Sequence, residues 1–524
     1  MKTPVRIVLL VNCTLLALLG VVVLVYPATR ALLNLGDPAL RQPGIPRQGW
    51  RLAAWLTPRQ TAWARQPAGA EAAPSDEAAQ AGTSEWPMVG AVLYLWGIEN
   101  LQAAWDAGDH AGGVEPRAAA REAIVAIAER AAAAVPPAGT NRPGLRGGGG
   151  PGLLKQTLVL AALTSRERLL KDGAQTNRLR DEVAAVAREI EESRSGLPGD
   201  ASGRAHPAQV LAAVACVERA DTLVGVLTNR ALFVDRALRG FTGARATKLG
   251  LPPMVAQPQT GRPATDARGG ASALMCLFSA DLWPTQSRQW FQALDQNFWQ
   301  EGGTAAGFRE HFIGGTSDEW ALDPEAGLIA RGFGAQGSLL GMGAARKHGR
   351  FDRAYPVAAE VVAVAWELPG GFLTVPRLLD PAGAPLLDES ALLWLLTIQP
   401  DKGTAVKPAG APPLFPRLIS WGALAFGLLF VVESLWRYRT ARNEPEREYP
   451  AAAGQALLWA ALLGGGVALL WVGETLPGLA CLVLTVIFPR SKKHPRDQGN
   501  RPEDLPPPRE PGPSANTLPA PPAQ

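Results

Sequence analysis

At 524 residues the chain has room for three or four domains of roughly 150 residues each. Apolar residues make up 47% and charged residues 19%, with 56 Gly and 46 Pro. That balance excludes a disordered chain, a collagen, a coiled-coil rod and a disulfide scaffold. A net charge of +4 over this length gives no electrostatic footprint for nucleic acid.

Residues 7–26 form an apolar run whose only polar members are Asn12 and Thr14. Twenty residues at about 1.5 Å each match the roughly 30 Å hydrocarbon core of a bilayer. No small-residue cleavage site follows before Pro27, so 1–26 reads as a retained membrane anchor rather than a signal peptide. Residues 27–85 read as a linker and lead-in segment, with an Ala-, Glu- and Gln-rich stretch at 66–84.

From 86 to 400 the pattern is helical almost throughout. In 177–192, Leu179, Val183, Val186 and Ile190 recur at spacings of four, three and four, which is one apolar face of a helix. Similar stretches fall near 88–106, 117–134, 152–171, 207–223, 228–239, 269–281, 285–300, 334–348, 353–366 and 388–397, divided by Gly/Pro breaks. No period-2 run is long enough to make a sheet. About eleven helices paired by breaks predict an all-α fold, an α/α toroid of six hairpins. No repeat of constant period supports the competing solenoid.

After a linker at 401–417, three apolar runs occupy 418–489: 418–436, 454–473 and 476–488. The last is thirteen residues, short for a crossing, and a re-entrant or tilted placement stays open. Gly464, Gly465 and Gly466 let the middle run lie close to a neighbour. Arg490, Lys492, Lys493 and Arg496 put the C-terminus in the cytoplasm, and Lys2 and Arg6 do the same for the N-terminus. Four crossings satisfy both ends. The expected protein is therefore a multi-pass inner-membrane protein with a large extracytoplasmic (periplasmic) domain. Residues 490–524 are basic, then Pro-rich, and read as a disordered tail.

Conventional chemical motifs are sparse. Four cysteines show no metal spacing; Cys216 and Cys276 read as buried free thiols, with pairing the alternative. Five histidines include no HExxH, so neither a metal nor a cofactor is expected. Gly332, Gly334 and Gly337 spell G-x-G-x-x-G, but they open a helix on which Gly341 and Ala345 follow, a pattern for close helix packing.

Better candidates stand at helix–loop junctions. Arg309 and Glu310 precede a loop holding Asp318, Glu319, Asp323 and Glu325, where neighbouring carboxylates can divide acid and base roles. A solvated loop, with Asp323 capping the next helix, is the plainer alternative. Trp86, Tyr94, Trp96 and Glu99 share one predicted helix, although Tyr94 and Glu99, five apart, do not share a face cleanly. They form an aromatic wall or simple core packing. His206 lies in a loop.

In order and spacing, residues 86–397 resemble the linalool dehydratase/isomerase family, whose domain is an α/α toroid. The resemblance rests on AVLYLWGI at 91–98, TLVLAALTSRERLLKDG at 157–173, GLPGD at 196–200, LWPTQSRQWFQALDQNFW at 282–299, FRE at 308–310, GSLLGMGAARKHGRFD at 337–352 and PLLDESALLWLL at 385–396. It implies that Tyr94 matches a substrate-facing tyrosine and Arg309–Glu310 an Arg-Glu pair. The family's catalytic histidine would fall near Thr157 and its two cysteines near Gly199 and Ala208, where this chain has neither residue type, and its aspartate has no equivalent before Trp86.

Three functions follow from these readings. The first is a membrane-borne toroid binding a small apolar or amphiphilic ligand, with lyase or isomerase action on an alcohol as its enzymatic form. In that form Tyr94 donates a hydrogen bond, Glu310 or Asp323 is the base and Arg309 orients a carboxylate; Trp86, Trp96 and His206 join the binding site. The second is a glycan-processing or glycan-binding envelope protein. The third is a non-catalytic assembly or docking protein, partnered through its C-terminal membrane helices or Pro-rich tail.

Overall fold

A computed structural model describes residues 2–66, 85–136, 152–200, 202–302, 306–315, 320–323, 327–368, 371–373 and 386–443, with a few residues beyond. The chain divides into two units, 1–456 and 457–524. In the second, helix is described at 461–462, 464–466, 481 and 484. The apolar runs 454–473 and 476–488 therefore lie largely outside the described residues. The tail 490–524, the stretch 67–84 and Asp318, Glu319 and Glu325 lie wholly outside them.

The protein is mostly helical. It opens with α1 (Lys2–Gly20), a π-helical turn (Val21–Val25) and α2 (Tyr26–Leu35). Next comes α3 (Arg47–Arg65), within the segment expected as linker. Its buried residues Trp50, Leu52, Ala53, Leu56, Gln60 and Trp63 recur at helical spacing along one face. Beyond it lie α4 (Trp86–Asp106), α5 (Arg121–Ala134), α6 (Leu153–Leu170), α7 (Thr176–Glu192), α8 (Pro207–Val224) and α9 (Arg230–Leu238). Then follow α10 (Gly269–Leu282), α11 (Pro284–Phe298), α12 (Ala335–Lys347), α13 (Phe351–Val364) and α14 (Leu387–Thr397).

These helices form two layers. In the inner one, α4 packs on α6, α6 on α8, α8 on α10, α10 on α12, α12 on α14, and α14 back on α4. An inner helix is covered all round: every residue of α6 from Gln156 to Glu167 is buried. In the outer layer α5 and α7 lie on α6, α9 on α8, α11 on α10, α13 on α12 and α3 on α14. Outer α7 buries Leu179, Val183, Val186 and Ile190 and leaves the rest of its surface polar, as the sequence predicts. The contact between α14 and α4 is very close. A Cβ at Gly97 would lie 2.6 Å from Leu393 Cγ, and one at Gly90 3.1 Å from Leu387 Cα.

Short antiparallel strands depart from the expected purely helical pattern. β1 (Trp299–Glu301) pairs with β2 (Ala306–Phe308), β3 (Trp320–Asp323) with β4 (Gly327–Ala330), β4 with β5 (Phe333–Gly334), and β6 (Trp366–Leu368) with β7 (Gly371–Leu373). Strands of two to four residues are too short to show a period of two. Asp323 ends β3 opposite Gly327 and is not a helix cap. The small residues of α12 also meet a different partner from the expected helix. Gly341 faces Phe308 of β2, where a Cβ would lie 2.2 Å from the ring.

The last described long helix, α15 (Leu414–Asn443), contains the run 418–436. It packs antiparallel to α1 and α2: Gly20 lies against Phe430, and Gly427 against Leu24 and Val25. Two stretches, Leu10–Leu35 and Leu414–Thr440, are long and apolar enough to cross a membrane. Ile7, Val11, Leu15 and Leu18 leave an exposed apolar stripe on α1, and Leu418, Trp421, Phe426 and Leu429 are exposed on α15. Trp366 of β6 donates its indole N–H to the Val23 carbonyl in the π-helical turn. Glu367, buried beside it, accepts from Arg30, Asn34 and Arg51.

Arg346, wholly buried at the end of α12, has no carboxylate partner among the described residues. Instead it donates to the carbonyls of Ile398, Ala39 and Gly44 at 3.1, 3.2 and 2.9 Å, with Phe351 beneath its guanidinium. Burial pulls its pKa down to about 9. Arg346→Met would leave the carbonyls of Ile398 and Ala39 without a donor, each costing ~1–3 kcal/mol, while Gly44 O keeps Gln399 Nε2. A loss on the order of 3 kcal/mol or more is expected in chemical denaturation; a loss under ~1 kcal/mol would refute the tie.

Glu189 of α7 accepts from Gln156 of α6 at 3.3 Å, and burial pushes its pKa up to about 7, against an ordinary value of 4.5. The folded state therefore holds a proton that the unfolded chain releases, and this contribution disappears as pH rises through 7. Glu189→Gln should raise Tm at pH 8 and leave it unchanged below about pH 4.5. Melting curves over that range check the sign.

Candidate functional site

The inner helices place charges at their C-terminal ends. Glu99 lies in the second half of α4, Arg168 in the last turn of α6 and Arg219 near the end of α8. Asp281 is the penultimate residue of α10, Lys347 the last of α12, and Asp401 lies four residues past α14. Cations in a final turn are favoured by the partial negative charge of the exposed carbonyls, and Arg168 and Lys347 occupy such positions.

The six groups form two clusters. In the first, Glu99 Oε2 meets Arg168 Nε at 3.0 Å and Arg219 Nη2 at 2.6 Å. The Glu99 side chain is 10% exposed, Arg219 28% and Arg168 43%, so the cluster grades from a buried carboxylate to solvent-reaching guanidiniums. Glu99 Oε1 is shielded from solvent and has no hydrogen-bond partner. Burial pulls the Arg219 pKa down, but Glu99, together with Cys216 and Asp281, makes the net direction upward. In the second cluster Lys347 Nζ joins Asp281 at 2.8 Å and Asp401 at 2.6 Å. Burial and the adjacent Asp281 raise the Asp401 pKa against the pull of Lys347.

Beneath these charges lies an aromatic cluster. Trp96 stands one turn before Glu99 on α4, and Phe278 one turn before Asp281 on α10; Trp394 comes from α14. Their ring centroids are 5.5 Å (Trp96–Phe278), 5.1 Å (Trp96–Trp394) and 6.1 Å (Phe278–Trp394) apart. The Arg219 guanidinium sits 6.0 Å from the Trp96 ring. All three rings are 8–9% exposed, so they form a floor rather than an open wall. The arrangement offers two cations, an acceptor and an apolar base within one small region.

The sequence-chosen residues fall in several places. Trp96 belongs to this floor. Tyr94, two residues earlier, is wholly buried on another side of α4, with its hydroxyl 2.8 Å from Thr57 Oγ1 of α3; burial raises its pKa. Trp86 is exposed at the start of the same helix. Glu310 is buried at the opposite ends of the inner helices. Its carbonyl accepts from Gly269 N, its amide donates to Gly332 O, and its carboxylate lies against Gly270 and Gly337. Arg309 donates to Gln300 Oε1 at 2.6 Å. His206, just before α8, stands 3.3 Å from Asp200. Asp323 lies in β3, with its side chain outside the described residues.

Arg168, Arg219, Asp281, Lys347 and Asp401 were not singled out from the sequence. The available signal was positional: a charge near the end of each successive inner helix. Two grooves of about 590 and 420 Å³ lie between α3 and α5 and include none of these groups. No three or more His, Cys, Asp or Glu residues among those described are grouped to hold a metal.

No family model and no curated protein matches the chain.

Cys216 and Cys276 are free and buried, consistent with the free-thiol reading. Cys216 lies one turn before Arg219, and burial pushes its pKa up to about 12; burial raises Cys276 as well. Both should resist a thiol reagent at pH 8 in the native protein and react fully after denaturation. Peptide mapping of the adducts checks this, and rapid native labelling of Cys216 would show the floor to be open.

Proposed function

We propose that the two helical layers form an α/α toroid carried on a membrane hairpin, and that the protein binds a small amphiphilic ligand at the charged ends of the inner helices. The supporting observation is Glu99. A carboxylate nine-tenths buried above an aromatic floor holds two arginines through one oxygen and leaves the other without a donor. Buried ion pairs that serve stability alone generally satisfy their remaining lone pairs, because an unpaired buried acceptor costs free energy. Here the unmatched acceptor lies beside two guanidiniums that still reach solvent.

The membrane placement follows the charges at one end of the hairpin. Lys2 and Arg6 share that end with Arg437, Arg439 and Arg442, because α15 runs antiparallel to α1. The positive-inside tendency puts that end in the cytoplasm and the toroid outside it, in an inner membrane. We assign binding rather than turnover. Tyr94 and Glu310, the acid–base candidates implied by the linalool dehydratase/isomerase resemblance, occupy separate packed environments at different levels of the inner helices.

The test is a thermal-shift series on the full chain in detergent, using alcohols, acids and amines of six to ten carbons and oligosaccharides. A ligand at about 100 times its Kd stabilises the folded state by ~2.7 kcal/mol. A shift with an amphiphile, abolished by Glu99→Gln but kept by Tyr94→Phe, is expected. A shift lost in Tyr94→Phe and kept in Glu99→Gln would move the site to the family-like position. Stabilisation by oligosaccharides alone would favour glycan binding. A cooperative melt unmoved by every compound would leave the docking role.

A further inference from the structure

We infer that the ligand's head is an anion with an adjacent hydroxyl, a hydroxy acid rather than an alcohol or an amine; this rests on the binding reading above. Arg168 and Arg219 bring two positive charges to the one negative charge of Glu99, which leaves the cluster at +1. Each guanidinium carries five N–H donors on three nitrogens. Arg168 uses Nε and Arg219 Nη2 on Glu99, and neither has a further hydrogen-bond partner among the described residues. Their unused donors match a carboxylate or another planar anion.

The second cluster has the opposite balance. Lys347 stands between Asp281 and Asp401, one cation against two carboxylates, and it is already contacted by both. An anionic head is therefore drawn to the Arg168–Arg219 side and repelled from the Lys347 side, which fixes its orientation.

The charge alone does not complete the match. A simple carboxylate would satisfy the arginines but would bring a like charge against Glu99. Glu99 Oε1 can only accept a hydrogen bond while ionised, and it has no donor. A hydroxyl on the carbon next to the ligand's carboxylate supplies that donor and separates the two carboxylates. An alcohol offers the donor but leaves the arginines without a counter-charge. The ligand's short apolar remainder then rests over the Trp96–Phe278–Trp394 floor, with the guanidinium of Arg219 beside it.

The probes are 2-hydroxyhexanoate, hexanoate and hexan-1-ol, titrated calorimetrically into the full chain in lipid nanodiscs. The hydroxy acid should bind at least about 10-fold more tightly than either of the others, one such step equalling ~1.4 kcal/mol. Raising the salt concentration should weaken it, as expected for partly exposed cations. Arg219→Gln and Arg168→Gln should each weaken 2-hydroxyhexanoate about 10-fold while leaving hexan-1-ol unchanged. Arg168 is nearly half exposed, so its variant tests the site even where loss of Arg219 disturbs folding, and the Tm of each variant is measured alongside. Equal binding of hexan-1-ol and the hydroxy acid, lost in Glu99→Gln, would overturn the hydroxy-acid assignment and keep the amphiphile site. Equal binding of hexanoate and the hydroxy acid would overturn the role given to Oε1. Binding of none of the three by a cooperatively melting chain would overturn both readings.

Discussion

The architecture depends on the approach of α4 and α14, two helices almost three hundred residues apart in the chain. Without their contact the inner helices would be an open array with an apolar face at either end. Gly97 and Gly90 allow it, because side chains at those positions would overlap Leu393 and Leu387 of α14. Glycine costs about 1 kcal/mol in a helix interior relative to alanine. Burial of α4 and α14 along most of their lengths offsets that cost. Closure also fixes the floor of the candidate site, since Trp96 comes from α4 and Trp394 from α14, and their rings meet across this contact. The same seam that completes the inner layer sets the base on which Glu99 rests.

A second constraint holds the chain near that seam. Arg346 leaves α12 and supplies three carbonyls, two from the loop before α3 and one from the end of α14. In this way it joins the first outer helix to the last inner ones without a carboxylate. Guanidinium suits the task because its planar, divergent donors reach three acceptors at once, where an ammonium would be a single compact charge. Its neighbour Lys347, about 100° further round the helix, meets two carboxylates instead. Consecutive basic residues thus serve the frame and the site separately.

Much of the helical frame was legible in the sequence. The four apolar residues of α7 report a one-sided outer helix, and the unbroken apolar run Leu158–Leu163 of α6 reports an inner one. Helix α3 was hidden because Arg, Gln and Thr interrupt its apolar stripe and Pro58 lies inside it, so the segment reads as a connector. Its aromatic residues Trp50 and Trp63 carry much of the burial instead. The hairpins around 299–334 and 366–373 were hidden by their length, since two to four residues are too few to establish an alternating pattern. The candidate site was hidden for a different reason. A charge at the end of a helix is ordinarily a solvated, dipole-matched residue, and Arg168, Arg219 and Lys347 each look so in isolation. Only the inner packing order brings them into contact with Glu99, Asp281 and Asp401.

The contacts of α2 also give the candidate site a direction relative to the apolar hairpin of α1 and α15. Tyr355, in the second turn of α13, donates to the carbonyl of Leu35 at the end of α2. Trp366, just past the end of α13, reaches back to Val23, before α2 begins. Helix α2 therefore runs against α13. Helix α13 in turn runs against α12, because Glu360 near its end accepts from the Ala306 amide of β2, and β2 packs on the first half of α12. Two reversals make α2 and α12 parallel, so the C-terminal end of α12, with Lys347, points away from α1. Glu99, Arg168 and Arg219 lie at the corresponding ends of α4, α6 and α8, whereas Glu310 and the β-hairpins lie at the end nearer the apolar part of α1. The Glu367 contacts with Arg30, Asn34 and Arg51 hold the helical layers against α2, which continues α1.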